Sequence, residues 1–175
     1  MAIEFRLLQS SDSIADLTAL LHAAYAQLQR LGFKLTAVDQ SEQKTRGRIA
    51  GGECYVAIDA GRIIGTIHFR RHSRGCAWYE QRHVAAVHQF GVMPTAQRGG
   101  IGSKLIQLCE TRAVDTGATE IALDTAEGAA HLVDWYERLG YCSVAIEQWQ
   151  GKTYRSLILS KDLHRSAVAL CPQQT

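Results

Sequence analysis

The eight residues Thr95-Ala96-Gln97-Arg98-Gly99-Gly100-Ile101-Gly102 carry the plainest chemistry in the chain. Gly99, Gly100 and Gly102 stand between an apolar run ending at Val92 and a helical repeat beginning near Ile101. The first N–H groups of a helix have no partner within it, and the aligned peptide dipoles place about half a positive charge there. Glycine removes the side chains that would hold an anion away, so a phosphate reaches the amides directly. Arg98 adds a cation. A phosphate-bearing ligand is the expected guest, with a bare glycine-rich turn as the alternative.

Two familiar phosphate loops fit poorly. A Walker A loop ends in Gly-Lys-Ser/Thr, whereas this chain reads Gly102-Ser103-Lys104. A dinucleotide fingerprint asks for a third glycine where Leu105 stands. Asp124 can stand in for the acid that the fingerprint wants about 20 residues on, but the missing glycine and the late position of the turn count against it.

The string Gln97-x-x-Gly100-x-Gly102, preceded by Val92-x-Pro94, resembles the acetyl-coenzyme A signature of the GNAT superfamily of N-acetyltransferases. About 35 residues downstream, Trp135-Tyr136-Glu137-Arg138-Leu139-Gly140-Tyr141 is similar to the family's Tyr-x-x-x-Gly-Phe/Tyr helix end. The resemblance implies acetyl-coenzyme A as co-substrate, with its pyrophosphate held by Gln97, Arg98, Gly99, Gly100, Ile101, Gly102 and Ser103. It implies that the backbone from Phe90 to Val92 pairs with the pantetheine arm and that the Val92 N–H faces the thioester carbonyl as an oxyanion donor. Tyr136 matches the tyrosine near the thioester sulfur. Ala129 departs from the pattern, since family members often carry Asn seven residues before that tyrosine.

Acetyl transfer to an amine needs a neutral nucleophile, a stabilised carbonyl oxygen and a proton for the departing thiolate. Tyr136 is the candidate acid: a phenol near pKa 10 protonating a thiolate near 8.5 is uphill by roughly 2 kcal/mol, less once the thiolate is desolvated. The family often places a Glu on the strand before the glycine turn as base. Here that strand offers His83, His88 and Gln89, with no carboxylate nearer than Glu80. His88 shares strand parity with Phe90 and Val92, unless a bulge intervenes, and is the candidate proton relay. No metal is expected: His68 and His72 are four apart on a strand, about 13 Å, too far for one ion.

The elements that must position these groups can be read from periodicity. Strands are expected over 4–9, 54–59, 63–71, 83–92, 119–124, 141–149 and 153–159. Helices are expected over 14–28, capped by Ser11 or Ser13, over 39–49, from Ile101 towards Gly117, and over 128–139. Ala60-Gly61 and Gln150-Gly151-Lys152 read as hairpin turns, and 72–82 as an irregular loop. This order suits an α+β domain whose mixed, mostly antiparallel sheet of about seven strands is flanked by about four helices. One domain spans 1–163, followed by a tail, 164–175. Tyr25, Phe33, Trp78 and Tyr79, with Glu80 for an ammonium, are candidate acceptor-pocket residues or ordinary packing.

Composition sets the outer bounds. The chain has 175 residues, 46% hydrophobic and 21% charged, which is ordinary for a globular domain. Nineteen Lys and Arg against seventeen Asp and Glu leave +2, no electrostatic footprint for nucleic acid or an anionic membrane. Charges near the N-terminus interrupt any signal-peptide core. The five cysteines are scattered, which predicts reduced thiols in a cytoplasmic protein. The expected function is N-acetylation of a primary amine, in a small molecule or peptide, by direct attack without a covalent intermediate; a homodimer is compatible with it. The alternatives are a non-catalytic acyl-coenzyme A sensor and a nucleotide-binding enzyme.

Overall fold

The computed structural model describes residues 2–164. The expected tail, beyond His164, lies outside the described residues. Seven strands and four α-helices follow one another: β1 (Glu4–Leu7), α1 (Ile14–Arg30), α2 (Glu42–Ile49), β2 (Glu53–Asp59), β3 (Arg62–Arg70), β4 (Val84–Val92), α3 (Ile101–Asp115), β5 (Glu120–Ala126), α4 (Ala130–Arg138), β6 (Cys142–Glu147) and β7 (Ser156–Asp162). The strands form one mixed sheet in the order β1-β2-β3-β4-β5-β7-β6. β4 and β5 run parallel, while β1 with β2, β2 with β3, β5 with β7 and β6 with β7 are antiparallel. The α+β class read from the sequence is the class found.

Contacts divide the described chain into two compact units, 2–70 with 87–111 and 71–86 with 112–164. In the first unit, the Ser13 side chain caps α1 by accepting from the Asp16 N–H at 3.1 Å. The helix turns Leu17, Leu20 and Leu21 inward, all at most 2% exposed. Leu17 packs with Cys54, Val56 and Ile58 of β2, and Ile14, Ile49 and Ile63 close around them. Ala60 and Gly61 both take positive φ, 47° and 77°, the two-residue turn whose twist matches a hairpin. Gly65 of β3 lets α3 approach: a Cβ there would stand 3.0 Å from Ile101 and Leu105.

The second unit has its own core of Cys76, Tyr79, Val84, Ala86, Ala122 and Ile158, with Trp78, Val144 and Trp149 against it. Asp124 of β5 anchors two rings, accepting from the Tyr79 hydroxyl and the Trp149 indole at 3.2 Å each. The segment 72–82 is irregular as expected, yet Tyr79 within it is only 2% exposed and stacks on Trp149. Tyr79 is therefore a core residue rather than a lining of an acceptor pocket. Cys54, Cys76 and Cys109 are buried free thiols. None of the described helices is long and apolar enough to cross a membrane.

Candidate functional site

The glycine turn lies in the first unit and is built by backbone geometry. After β4, Pro94–Ala96 makes a single 3-10 turn, and the Ala96 N–H returns to the Met93 carbonyl at 2.8 Å. Gln97 folds back so that its Nε2 donates to the Val92 carbonyl at 3.2 Å, tying the turn to the strand end. Arg98 and Gly100 then take φ of 66° and 78°. Around Gly100 an added Cβ would meet nothing within 4 Å, so the space beside this backbone is open. The ladder of α3 starts with the Lys104 N–H on the Gly100 carbonyl at 3.0 Å. The amides of Ile101, Gly102 and Ser103 precede it, and no acid stands in the first turn. An anion has amides, a helix dipole and Arg98 to meet, with no carboxylate of that turn to repel it.

β4 leads into this turn with a defect. Gln89 takes φ of 49°, a left-handed backbone that costs a non-glycine residue about 1 kcal/mol or more. A buried polar network holds it there. With its amide oxygen turned toward Arg48, Gln89 accepts from Nε at 2.8 Å and Nη2 at 2.9 Å. Beside it, Gln40 Nε2 donates to the Thr45 hydroxyl at 2.8 Å. The Thr45 and Thr18 hydroxyls are 2.8 Å apart, and Gln40, Thr45, Thr18 and Gln89 are all at most 5% exposed. Along β4, His88, Phe90 and Val92 are each half-buried while Gln89 and Gly91 between them are buried.

His88 is nonetheless a poor proton acceptor. Burial pushes its pKa down to about 3, and the positive neighbours His68, Arg70 and Arg48 push in the same direction. An imidazole of that pKa is neutral at physiological pH but holds a proton weakly, far from the poise a general base needs. Among the described residues no three His, Cys, Asp or Glu side chains gather as metal ligands.

Tyr136 lies in the second unit, on α4. It is 7% exposed and packs edge-on against Trp135 and Tyr141, at 4.9 and 5.8 Å between ring centroids. Its carbonyl accepts from the Leu139 and Tyr141 N–H groups at 3.0 and 3.1 Å as the helix ends at Gly140. Ala129 precedes α4 as an N-cap without a side-chain hydrogen bond. Phe90, Val92 and the turn 97–103 thus share one unit with His88, while Tyr136 belongs to the other.

Sequence reasoning gave no role to Gln40, Arg48, Gln89 or Arg70 and weighed His68 only as a metal ligand. The readable signal was on β3, where Thr66, His68 and Arg70 alternate with Ile67 and Phe69: a polar face on a strand whose central residues are buried on both sides.

Comparison with known proteins bears on the whole arrangement. The chain is 32% identical over 168 residues to the S-(2-succino)cysteine N-acetyltransferase of Bacillus subtilis (strain 168), covering 93% of this chain and 98% of that one. Its fold is similar to that of a GNAT family acetyltransferase from Elizabethkingia anophelis solved with acetyl-CoA bound, at TM-score 0.67, 16% identity, and 91% and 97% coverage of the two chains. It is also similar to the ribosomal-protein-S18-alanine N-acetyltransferase of Escherichia coli, at TM-score 0.70, 15% identity, and 97% and 99% coverage. Residues 23–141 match the Acetyltransferase (GNAT) family, and with the glycine turn at the start of α3 this chain is an acetyltransferase that belongs to that family.

Proposed function

We propose that the protein transfers an acetyl group from acetyl-coenzyme A to the α-amine of a small amino-acid derivative, by direct attack of the amine. The observation that carries this is the start of α3: positive φ at Arg98 and Gly100, open space beside Gly100, and first-turn amides with no acid among them. In this assignment Gln97, Arg98, Gly99, Gly100, Ile101, Gly102 and Ser103 hold the pyrophosphate of the co-substrate. The backbone of Phe90 and Val92 pairs with its pantetheine arm, and the Val92 N–H steadies the negative charge that develops on the thioester oxygen. Tyr136 donates the proton that the departing thiolate takes up. Residues 1–163 act as one catalytic domain, in the cytoplasm.

The depressed pKa of His88 bears on the acceptor. A lysine-like amine near pKa 10.4 is neutral in about one molecule in 2,500 at pH 7, a penalty of about 4.6 kcal/mol, whereas an α-amine near 7.8 is penalised by about 1. Without a strong base on β4, an α-amine is the acceptor class that reacts readily. The relative in Bacillus subtilis is named for a cysteine derivative, an acceptor of this class.

A screen of amines for free thiol released from acetyl-coenzyme A tests the proposal. Release with amino acids and their derivatives, and little with lysine side-chain or polyamine acceptors, is the expected result. Tight coenzyme A binding with no thiol released by any amine would favour a sensor instead. Thermal stabilisation by ATP or NAD at least equal to that by coenzyme A would point to a nucleotide enzyme.

A further inference from the structure

Three groups on neighbouring elements of the first unit stand out because the mechanism uses none of them. His68 of β3 is 0% exposed, and neither ring nitrogen has a hydrogen-bond partner. A buried polar group left in that state costs stability. Gly52 leaves room for the ring: a Cβ at Gly52 would stand 2.5 Å from His68 Nε2 and would collide with the Phe69 carbonyl. Two residues along the strand, Arg70 donates from Nη2 to the carbonyls of Ala50 and Arg48 at 2.7 and 3.3 Å, so it is fixed at the end of α2. Its Nε is buried without a partner. Arg48 of α2 reaches the same neighbourhood and also lines an open hollow over α2 with Ser41, Gln43, Lys44 and Gly47. That hollow holds two cations and no acid.

The electrostatics agree with the geometry. His68 is pushed down to about 4, by burial first and then by Arg70 and Arg48, with the Ile49 carbonyl opposing from beyond hydrogen-bond geometry. His88, on β4, feels His68, Arg70 and Arg48, each lowering its pKa. Positive charge dominates around two neutral rings. One visitor settles both open groups at once: an anion accepts from Arg70 Nε–H and from a ring nitrogen of His68 that gains a proton as the anion binds, in the field of Arg48, whose own donors already meet Gln89. A planar carboxylate suits the guanidinium forks better than a point charge does.

We propose that Arg48, Arg70 and His68 form a recognition site for a carboxylate of the acceptor, so that the enzyme selects amines that carry an acid over their neutral counterparts. This rests on the acetyl-transfer reading above, and it adds the residues that set specificity.

Succinate is the binding probe and succinamide its neutral twin, titrated calorimetrically into the full-length protein. Succinate is expected to bind with proton uptake, more tightly at pH 6 than at pH 8, and succinamide to bind at least tenfold more weakly. Arg48→Gln and Arg70→Lys are each expected to weaken succinate at least tenfold. Melting curves and coenzyme A binding report whether each variant is folded; if Arg70→Lys disturbs the end of α2, Arg48→Gln decides. In turnover, an amino acid is expected to exceed its own α-amide by at least tenfold in kcat/KM, and this ratio is expected to fall in Arg48→Gln. Succinate bound no better than succinamide, or bound equally by folded Arg48→Gln, would overturn the site. Succinate bound as described with no thiol released from any amine would support the anion site and overturn acetyl transfer. Thiol released equally from acid and amide, with succinate unbound, would overturn the site and leave acetyl transfer standing.

Discussion

Gly91 and Ala24 approach so closely that a methyl group built on Gly91 would lie 2.9 Å from the Ala24 Cβ, with Leu20 and Leu21 next at 3.6 and 3.7 Å. Neither Ala24 nor the β4 backbone has a flexible end to move aside, so the helix and the strand would have to part. Gly91→Ala is expected to cost about 1–3 kcal/mol, the usual range for overpacking. Because Gly91 sits between Phe90 and Val92, the same displacement is expected to weaken coenzyme A binding. Urea unfolding and coenzyme A titration check both, and unchanged stability would show that α1 gives way without strain.

Tyr136→Phe keeps the ring against Trp135 and Tyr141 and removes only the hydroxyl. If that hydroxyl protonates the leaving thiolate, kcat is expected to fall about 100-fold, as for a lost general acid, with the coenzyme A dissociation constant little changed. Steady-state kinetics beside a binding titration separate the two. Full turnover by the variant would remove Tyr136 from the chemistry.

Much of this was legible in the residues. The limits of α1 follow from Ser13, which caps it, and from the leucine spacing that gives it a buried face. The glycine turn was legible as a strand-to-helix turn because Gly100 takes the positive φ that glycine adopts without strain. The left-handed backbone at Gln89 was not legible: no glycine or proline marks it, and it is held by Arg48, 41 positions earlier. Long-range polar contacts of that kind leave no local periodicity. Tyr79 stayed open between pocket lining and packing for a similar reason, since the irregular segment around it carries no pattern to show its contacts with Asp124 and Trp149.

Ser103→Asp separates stability from binding by moving them in opposite directions. Ser103 is exposed in the first turn of α3, where no acid stands. An Asp there complements the helix dipole and is expected to add about 0.3–1 kcal/mol. The same carboxylate occupies the field meant for pyrophosphate, so coenzyme A is expected to bind at least tenfold more weakly. Thermal unfolding and calorimetry on one preparation supply both readouts. Unweakened coenzyme A binding would remove this helix start from the site.

His68 gives the stability of the protein a pH dependence whose sign is fixed by the direction of its shift. In the unfolded chain its pKa is 6.5, and in the fold it is about 4. Between those values the unfolded state binds more protons, so stability is greatest above pH 6.5 and falls as the pH drops toward 4. One proton corresponds to about 1.4 kcal/mol per pH unit, or roughly 3 kcal/mol across the interval for a ring that is 0% exposed. His88, lowered further to about 3, extends the loss to lower pH. His68→Leu removes the first of these titrations, so its stability between pH 6.5 and 4 is expected to fall by up to one proton's slope less than that of the native protein. Urea unfolding at pH 7, 6 and 5 measures the difference, and equal slopes for the two proteins would mean that folding does not hold the His68 ring neutral.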